Sequence, residues 1–145
     1  MHVRDLVKRK PALITVQPAD ELSRAIQLLA VNHIGGLPVM GPGDTPVGFL
    51  AERDVVRAAY ERPHSYEHLR VSDLMRPALL CDADDSPEEA MQQMTSQRYR
   101  HLLVRDDGRI IGLISLGDLI KHRLEQLETE TGVLRDYVAA HRAVR

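Results

Sequence analysis

The chain is written twice, and this constrains its fold more than any other feature. Val3-Arg4-Asp5-Leu6 returns as Val71-Ser72-Asp73-Leu74, and Pro11-Ala12-Leu13 returns unchanged as Pro77-Ala78-Leu79. Ala25 answers Ala90, Leu37-Pro38-Val39 answers Leu102-Leu103-Val104, Gly48 answers Gly112, and Asp54 answers Asp118. The offset drifts from 68 through 66 and 65 to 64, so a few one- or two-residue gaps align the copies. A unit of about 60 residues covers its own sheet poorly, because small units bury a low fraction of their surface. Two copies packed with pseudo-twofold symmetry remove that problem, as stacked repeats do. They also leave two equivalent clefts between the halves, where small ligands usually bind.

Each copy reads strand, helix, strand, strand, helix, which predicts an α/β (α+β) fold of two β-α-β-β-α repeats. Leu13 to Val16 is short and apolar and is followed by the helix-start residues Pro18 and Asp20. Ser86-Pro87-Glu88-Glu89 is a sharper start, with Ser at the N-cap, Pro at the first helical position and Glu placed to close a capping box. Leu22, Ala25, Ile26 and Leu29 share one helical face in the first copy, and Pro87, Ala90, Met91 and Met94 share it in the second. Gly41-Pro42-Gly43-Asp44 and Asp106-Asp107-Gly108 then connect paired strands as hairpin turns. The predicted boundaries are 1–62 for the first repeat, 63–70 for a linker, 71–125 for the second repeat and 126–145 for the rest of a long C-terminal helix.

Composition narrows the function. The chain holds 145 residues, 43% of them hydrophobic, which is too apolar for disorder. No apolar run approaches the roughly 18 residues that span a bilayer, and charges interrupt the N-terminal stretch where a secretory signal would be continuous. A soluble cytoplasmic protein with no membrane partner is expected. Cys81 is the single cysteine, so an intrachain disulfide and a cysteine-built zinc site are both excluded. The halves 1–70 and 71–145 carry net charges of +1 and −3, which disfavours nucleic acid as a partner.

The third strand of each copy ends in Gly48-Phe49-Leu50-Ala51-Glu52-Arg53-Asp54 and Gly112-Leu113-Ile114-Ser115-Leu116-Gly117-Asp118. The glycine admits close approach of backbone or ligand. The aspartate falls in the first turn of the next helix, where an ionised carboxylate can accept hydrogen bonds from a vicinal diol. The alternative is an acidic residue that only complements the helix dipole. Its repetition in both copies favours a site. Arg98, Arg100 and His101 cluster before a strand, and Arg53 and Lys121 flank the motif helices; all could meet phosphate, or be solvated surface charge. His64 and His68 are four apart but lack a third metal ligand, and they read as linker histidines. No Gly-x-Gly-x-x-Gly, Walker-type loop or Gly-x-Ser-x-Gly elbow is present.

These motifs resemble a tandem pair of cystathionine-β-synthase (CBS) domains, or Bateman module, over residues 3–125, and most closely the small stand-alone bacterial pairs. The resemblance rests on Val71-Ser72-Asp73-Leu74-Met75 with its echo at Val3 to Val7, the Leu37-Pro38-Val39 strand, and the two Gly-x-x-(Ser/Thr)-x-x-Asp endings. It implies clefts for adenosine-containing ligands, AMP or ATP foremost, with ADP, NAD(H) and S-adenosylmethionine as further candidates, and no catalytic cofactor. By the same resemblance Asp118 holds ribose hydroxyls, Ser115 assists at ribose or phosphate, and the backbone at Cys81 and Leu102 frames the base. Asp54, Thr15 and the Gly36-Leu37-Pro38 segment would act likewise in the first copy. Ala51 departs from the pattern where Ser or Thr is usual, so the cleft of Asp118 is expected to be the better occupied. Leu103 departs too, replacing a proline, which bears on strand geometry.

The tail from Leu119 to Val138 sets Ile120, Leu124, Leu127, Leu134 and Val138 near one face, more apolar surface than one half needs. A homodimer contact fits, as CBS pairs commonly form a disc of four copies. The expected function is a non-catalytic nucleotide sensor that signals in trans to an effector protein not named by the sequence. The alternatives are an interaction module with vestigial clefts, which Ala51 would suit, and a nucleotide-hydrolysing enzyme built on His101 near Asp118.

Overall fold

The apolar runs of each copy fold into a helix, a hairpin and a second helix. The computed structural model describes residues 1–131 and 139–140. The first copy runs α1 (Val3–Val7), α2 (Leu22–Asn32), β1 (Gly36–Gly41), β2 (Thr45–Ala51) and α3 (Glu52–Glu61). The second runs α4 (Val71–Leu74), β3 (Leu80–Asp82), α5 (Pro87–Gln97), β4 (His101–Asp106), β5 (Arg109–Ser115) and α6 (Leu116–Thr131). Both hairpins are antiparallel, and both carry a register shift at the same repeat position, Val39/Met40 and Val104/Arg105.

The two sheets differ in one strand, and a proline explains it. β3 runs parallel to β4, with Leu103 N–H donating to the Leu79 carbonyl at 2.9 Å, and completes a three-stranded sheet. The strand expected over Leu13 to Val16 is reduced to a single bridge from Val16 to Val39. Pro38 stands where the second copy has Leu103, and without an N–H it cannot make the equivalent bond.

Helix ends follow the local chemistry. Ser86 Oγ accepts from Glu89 N–H at 3.1 Å, with Pro87 opening α5. α2 and α5 end in left-handed residues, His33 (φ 53°) and Arg98 (φ 59°), and the next amide reaches back to Leu29 or Met94. This is a Schellman-type end, in which glycine is the usual residue. Buried Leu22, Ala25 and Leu29 face one core, and Pro87, Ala90 and Met94 the other.

The short helices were not foreseen, and each crosses to the other copy. Val3 and Leu6 of α1 are buried with Cys81, Ala90, Leu102, Val104 and Ile114, while Val71 of α4 is buried with Leu22, Leu37, Val39 and Leu50. Backbone hydrogen bonds fix the exchange symmetrically. Val3 and Arg4 donate to Asp85 and Ala83, and Val71 and Ser72 donate to Asp20 and Pro18, all at 2.9–3.0 Å. The motif glycines make room for it. A Cβ on Gly112 would meet Val7 at 2.4 Å, and one on Gly48 would meet Met75 at 2.8 Å. What these glycines admit is the end of the exchanged helix rather than a ligand.

Candidate functional site

The exchange brings a cation from each copy to the aspartate of the other. Lys10 precedes Pro11-Ala12-Leu13, and its ammonium donates to Asp118 Oδ2 at 2.6 Å and to the Leu113 carbonyl at 2.9 Å. Arg76 precedes Pro77-Ala78-Leu79 and is paired with Asp54 Oδ1. Each carboxylate also caps its own helix, accepting from Ser115 N–H at 2.8 Å or from Ala51 N–H at 3.1 Å. Burial alone would raise the Asp118 pKa, but the Lys10 ammonium and the Ser115 amide outweigh it and hold the carboxyl below its usual range.

The carboxylates differ in what remains open. At Asp118 both Lys10 and the Ser115 amide use Oδ2, and Oδ1 has no hydrogen bond among the described residues. At Asp54 one oxygen takes Arg76 and the other takes the Ala51 amide. Ser115 Oγ accepts from Asp118 N–H at 3.1 Å, which orients the hydroxyl beside the carboxylate.

A cleft between the copies lies near each aspartate, lined by the Ser115 or Arg76 that bonds it. The cleft beside Asp118 measures about 250 Å³ and has aliphatic walls, Val7, Leu13, Ile14, Ile34 and Leu113, with His33, Gly35, Gly36, His101 and Ser115 completing it. Asp118 itself stands in an adjoining space of about 190 Å³ that meets this cleft at Lys10 and Pro11. The cleft beside Asp54 measures about 230 Å³ and is lined by Phe49, Ala51, Glu52, Arg53, Arg76, Tyr99, Arg100 and His101, together with Gly35. A space of about 290 Å³ next to it gathers Arg53, Arg98 and Arg100 around Tyr99 and Leu116. A larger concavity, about 970 Å³, is an open groove between α5 and α6 that neither aspartate lines.

His101 and Gly35 line both clefts. The His101 ring lies 5.0 Å from that of Phe49. Burial, reinforced by Lys10 and Arg100 and opposed by Asp118, lowers its pKa to about 4, so the imidazole is neutral at pH 7. Phe49 packs over Gly36, where a Cβ would lie 2.2 Å from its ring.

Among the residues singled out from sequence, Ser115, His101, Gly36, Arg53 and Arg100 line a cleft, and Arg98 joins two of them in the adjoining space. Asp118 and Lys121 share the space beside Lys10, whereas Asp54 is buried behind Arg76. Leu37, Leu102 and Cys81 are core side chains, and Pro38 is buried in β1; none lines either cleft. Burial pushes the Cys81 thiol up to about 12, with Asp85 and Asp82 adding to it, which makes it inert. Thr15 is exposed, and its neighbours Leu13 and Ile14 do the lining. Lys10, Arg76, His33 and Tyr99 were missed. The cation before each Pro-Ala-Leu was the available signal. His64 is exposed beside the 3₁₀ turn Tyr66–His68, which ends in the exposed His68, and no group of three metal-ligating side chains gathers among the described residues.

Known proteins share this fold. The CBS domain family model matches the chain twice, over residues 3–61 and 71–125. An inosine-5'-monophosphate dehydrogenase of Methanocaldococcus jannaschii is 35% identical over 113 residues, 77% of this chain but 22% of that enzyme. The chain thus spans about a fifth of that relative's length. It spans 60% of a mitochondrial CBS domain-containing protein of Arabidopsis thaliana, at 27% identity and with 82% of this chain covered. A crystal structure of a CBS-domain protein from Agrobacterium tumefaciens is 31% identical, covers 84% of this chain and 92% of its own, and superposes with a TM-score of 0.78. The crystal structure of CBSX2 in complex with AMP is 26% identical, covers 86% of this chain and 96% of its own, and has a TM-score of 0.71.

Proposed function

Because the chain belongs to the CBS domain family, as a tandem pair of its repeats, we propose that it is a non-catalytic sensor of adenosine-containing nucleotides that signals to a partner protein in trans. One observation carries the reading: Asp118 presents an Oδ1 with no hydrogen bond among the described residues, beside the Ser115 hydroxyl and next to a cleft with aliphatic walls. A ribose diol can donate to that oxygen, and the walls can take the flat faces of a purine. The AMP held by CBSX2, a structural neighbour, supports the class of ligand. Thr15 and the backbone at Cys81, Leu102, Leu37 and Pro38 remain the framing positions that the family resemblance assigns.

Such a ligand touches both copies, since the cleft is lined from each. It therefore stabilises their packing by mass action and biases any alternative arrangement toward the closed one. Isothermal titration of ligand-free protein with AMP, ATP, NADH and S-adenosylmethionine tests this. Binding of at least one is expected, and silence for all four would sink the proposal. Hydrolysis is the weaker alternative, because a histidine with a pKa near 4 is a poor general base at neutral pH.

The same reading includes a homodimer. Val56 and Tyr60 on α3 are 67% and 79% exposed, and their repeat counterparts Ile120 and Leu124 on α6 are 47% and 42% exposed. Leaving the same two positions apolar and open in both copies suits a second copy related by the pseudo-twofold. The apolar stripe on α6 thus faces away from its own half at Ile120 and Leu124; Leu134 and Val138 lie outside the described residues. Replacing Val56 and Tyr60 by Asp should convert a dimer to a monomer in light scattering, and a monomeric wild type would refute the contact.

A further inference from the structure

We propose that the groove between α5 and α6 is a docking site for a partner protein, and that it takes a turn carrying a tyrosine and a cation. The repeat shows the fit, because the first copy has the corresponding groove already filled. There α3 stops at Glu61, Pro63 keeps Arg62 out of helical geometry (φ −134°), and the 3₁₀ turn Tyr66–His68 comes back against both α2 and α3. Tyr66 and Leu69 pack on the first core with Ile26 and Val55. Backbone bonds fix both ends of this segment: Tyr66 N–H donates to the Arg62 carbonyl at 2.9 Å, and Leu22 N–H donates to the Leu69 carbonyl at 2.7 Å. The second copy has no such segment among the described residues, because α6 runs on past Gln126, the counterpart of Arg62, to Thr131. Its groove, about 970 Å³, therefore stands open between Pro87 and Gln126, the counterparts of Leu22 and Arg62, and is lined by Met91 and Leu119, the counterparts of Ile26 and Val55.

Two features of the open groove define what it is suited to meet. His122 lines it where the first copy has Ala58; the residue is 6% exposed, and its Nε2 has no hydrogen bond among the described residues. A buried ring nitrogen without a partner is costly, and a hydroxyl removes that cost in either tautomer because it both donates and accepts. Tyrosine carries such a hydroxyl on the kind of ring that Tyr66 already lays on the first core. Glu88 and Glu89 stand where the first copy has Ser23 and Arg24, and neither carboxylate pairs with a cation among the described residues. In the first copy the returning segment reaches this end of its helix with Arg70, which bridges to Glu21. A cation brought to the same place in the second copy would meet the two acids. A second copy of this chain does not supply the occupant: its Tyr66–Leu69 segment is bonded into its own groove, and Val56, Tyr60, Ile120 and Leu124, assigned above to the homodimer, do not line this one.

The proposal deepens the sensor reading by naming the surface through which it would signal, and it rests on that reading only for the signal. The probe is a fluorescent peptide with the sequence of residues 62–70, the segment that the first copy already holds in this manner. Titrated into the whole chain and read by anisotropy, it should bind saturably. Glu88→Lys, at an exposed position, should weaken it at least threefold; Arg70→Glu in the peptide should do the same, and the two changes together should recover part of the loss. Tyr66→Phe in the peptide should cost at least threefold against the wild type and nothing measurable against His122→Ala, which installs the residue that the first copy has at Ala58. Val31→Ala, at an exposed position of α2, should change the affinity less than twofold. No saturable binding at millimolar peptide, an equal loss in Val31→Ala, or a tyrosine effect that persists in His122→Ala would overturn the site. So would a hydrogen bond to His122 Nε2 seen by NMR in the protein alone, which would assign the groove to the same chain if independent of concentration and to a second copy if it grows with concentration. Peptide binding without binding of any nucleotide would leave this surface standing and defeat the sensor reading; nucleotide binding without peptide binding would do the opposite.

Discussion

Around Asp118 the protein offers a hydroxyl, an open carboxylate oxygen and aliphatic walls; around Asp54 it offers a methyl, a carboxylate engaged at both oxygens, and guanidinium groups. The scaffold under the two clefts is the same: a strand ending in a helix-capping aspartate, a glycine against an exchanged helix, and a left-handed residue closing the preceding helix. The backbone thus places the clefts, and a few side chains decide what each can hold. Duplicated architecture does not imply duplicated recognition.

The sharpest way to break this comparison is to remove the carboxylates one at a time. Asp118→Ala should weaken AMP by about 10- to 100-fold, since hydrogen bonds to a charged group contribute roughly 1.5–3 kcal/mol. Asp54→Ala should change AMP affinity by less than about threefold by the same argument, its oxygens being already engaged. Titration calorimetry on the two variants decides, and equal losses would make the clefts equivalent.

A response of comparable size separates the two sides by pH. His101 has Gly36 as its counterpart, so only one side carries the group. Its folded pKa of about 4 lies below the value near 6.5 of an unfolded histidine, so the unfolded chain binds the proton more readily. This contribution is intact above pH 6.5 and is lost as the pH falls toward 4, up to about 3 kcal/mol over the window. Denaturant melts of wild type and His101→Gln across that range should converge as the pH falls, and parallel curves would refute it. The lowered Asp118 pKa acts in the same direction but only below the ordinary carboxylate range, so it does not mimic this window.

The smallest effect sharpens the contrast by erasing part of it. Ala51→Ser restores a hydroxyl to the Asp54 cleft and should strengthen a diol ligand there by about 0.5–1.5 kcal/mol, a gain of several-fold. A second binding event appearing in calorimetry would confirm it. No change would show that Arg76, rather than the missing hydroxyl, closes that cleft.

Much of this was legible because it is local. Ser86-Pro87 at a helix start, Asp106-Asp107-Gly108 in a hairpin and apolar residues at helical spacing each act within a few positions, and each appears where expected. Pro38 was legible in the same way, as one missing donor that shortens one sheet. The exchange of α1 and α4 was not, because nothing within Val3 to Val7 records which sheet will receive it. The pairing of Lys10 with Asp118 joins residues 108 apart, and it exists only once that exchange has occurred. Recognition of the aspartates was therefore easier than recognition of the cations that hold them.

The crossing of the short helices also bears on how such a molecule could arise. A chain holding one repeat would carry a helix that packs on the sheet of a second copy rather than on its own. Two such chains trading helices would rebuild the present cores as an intermolecular pair, with identical corners on both sides. Joining them through the segment from Arg62 to Arg70 makes that trade concentration-independent and lets the two corners drift apart. A single covalent chain can therefore hold arginines at one corner and a serine at the other, which two identical chains could not.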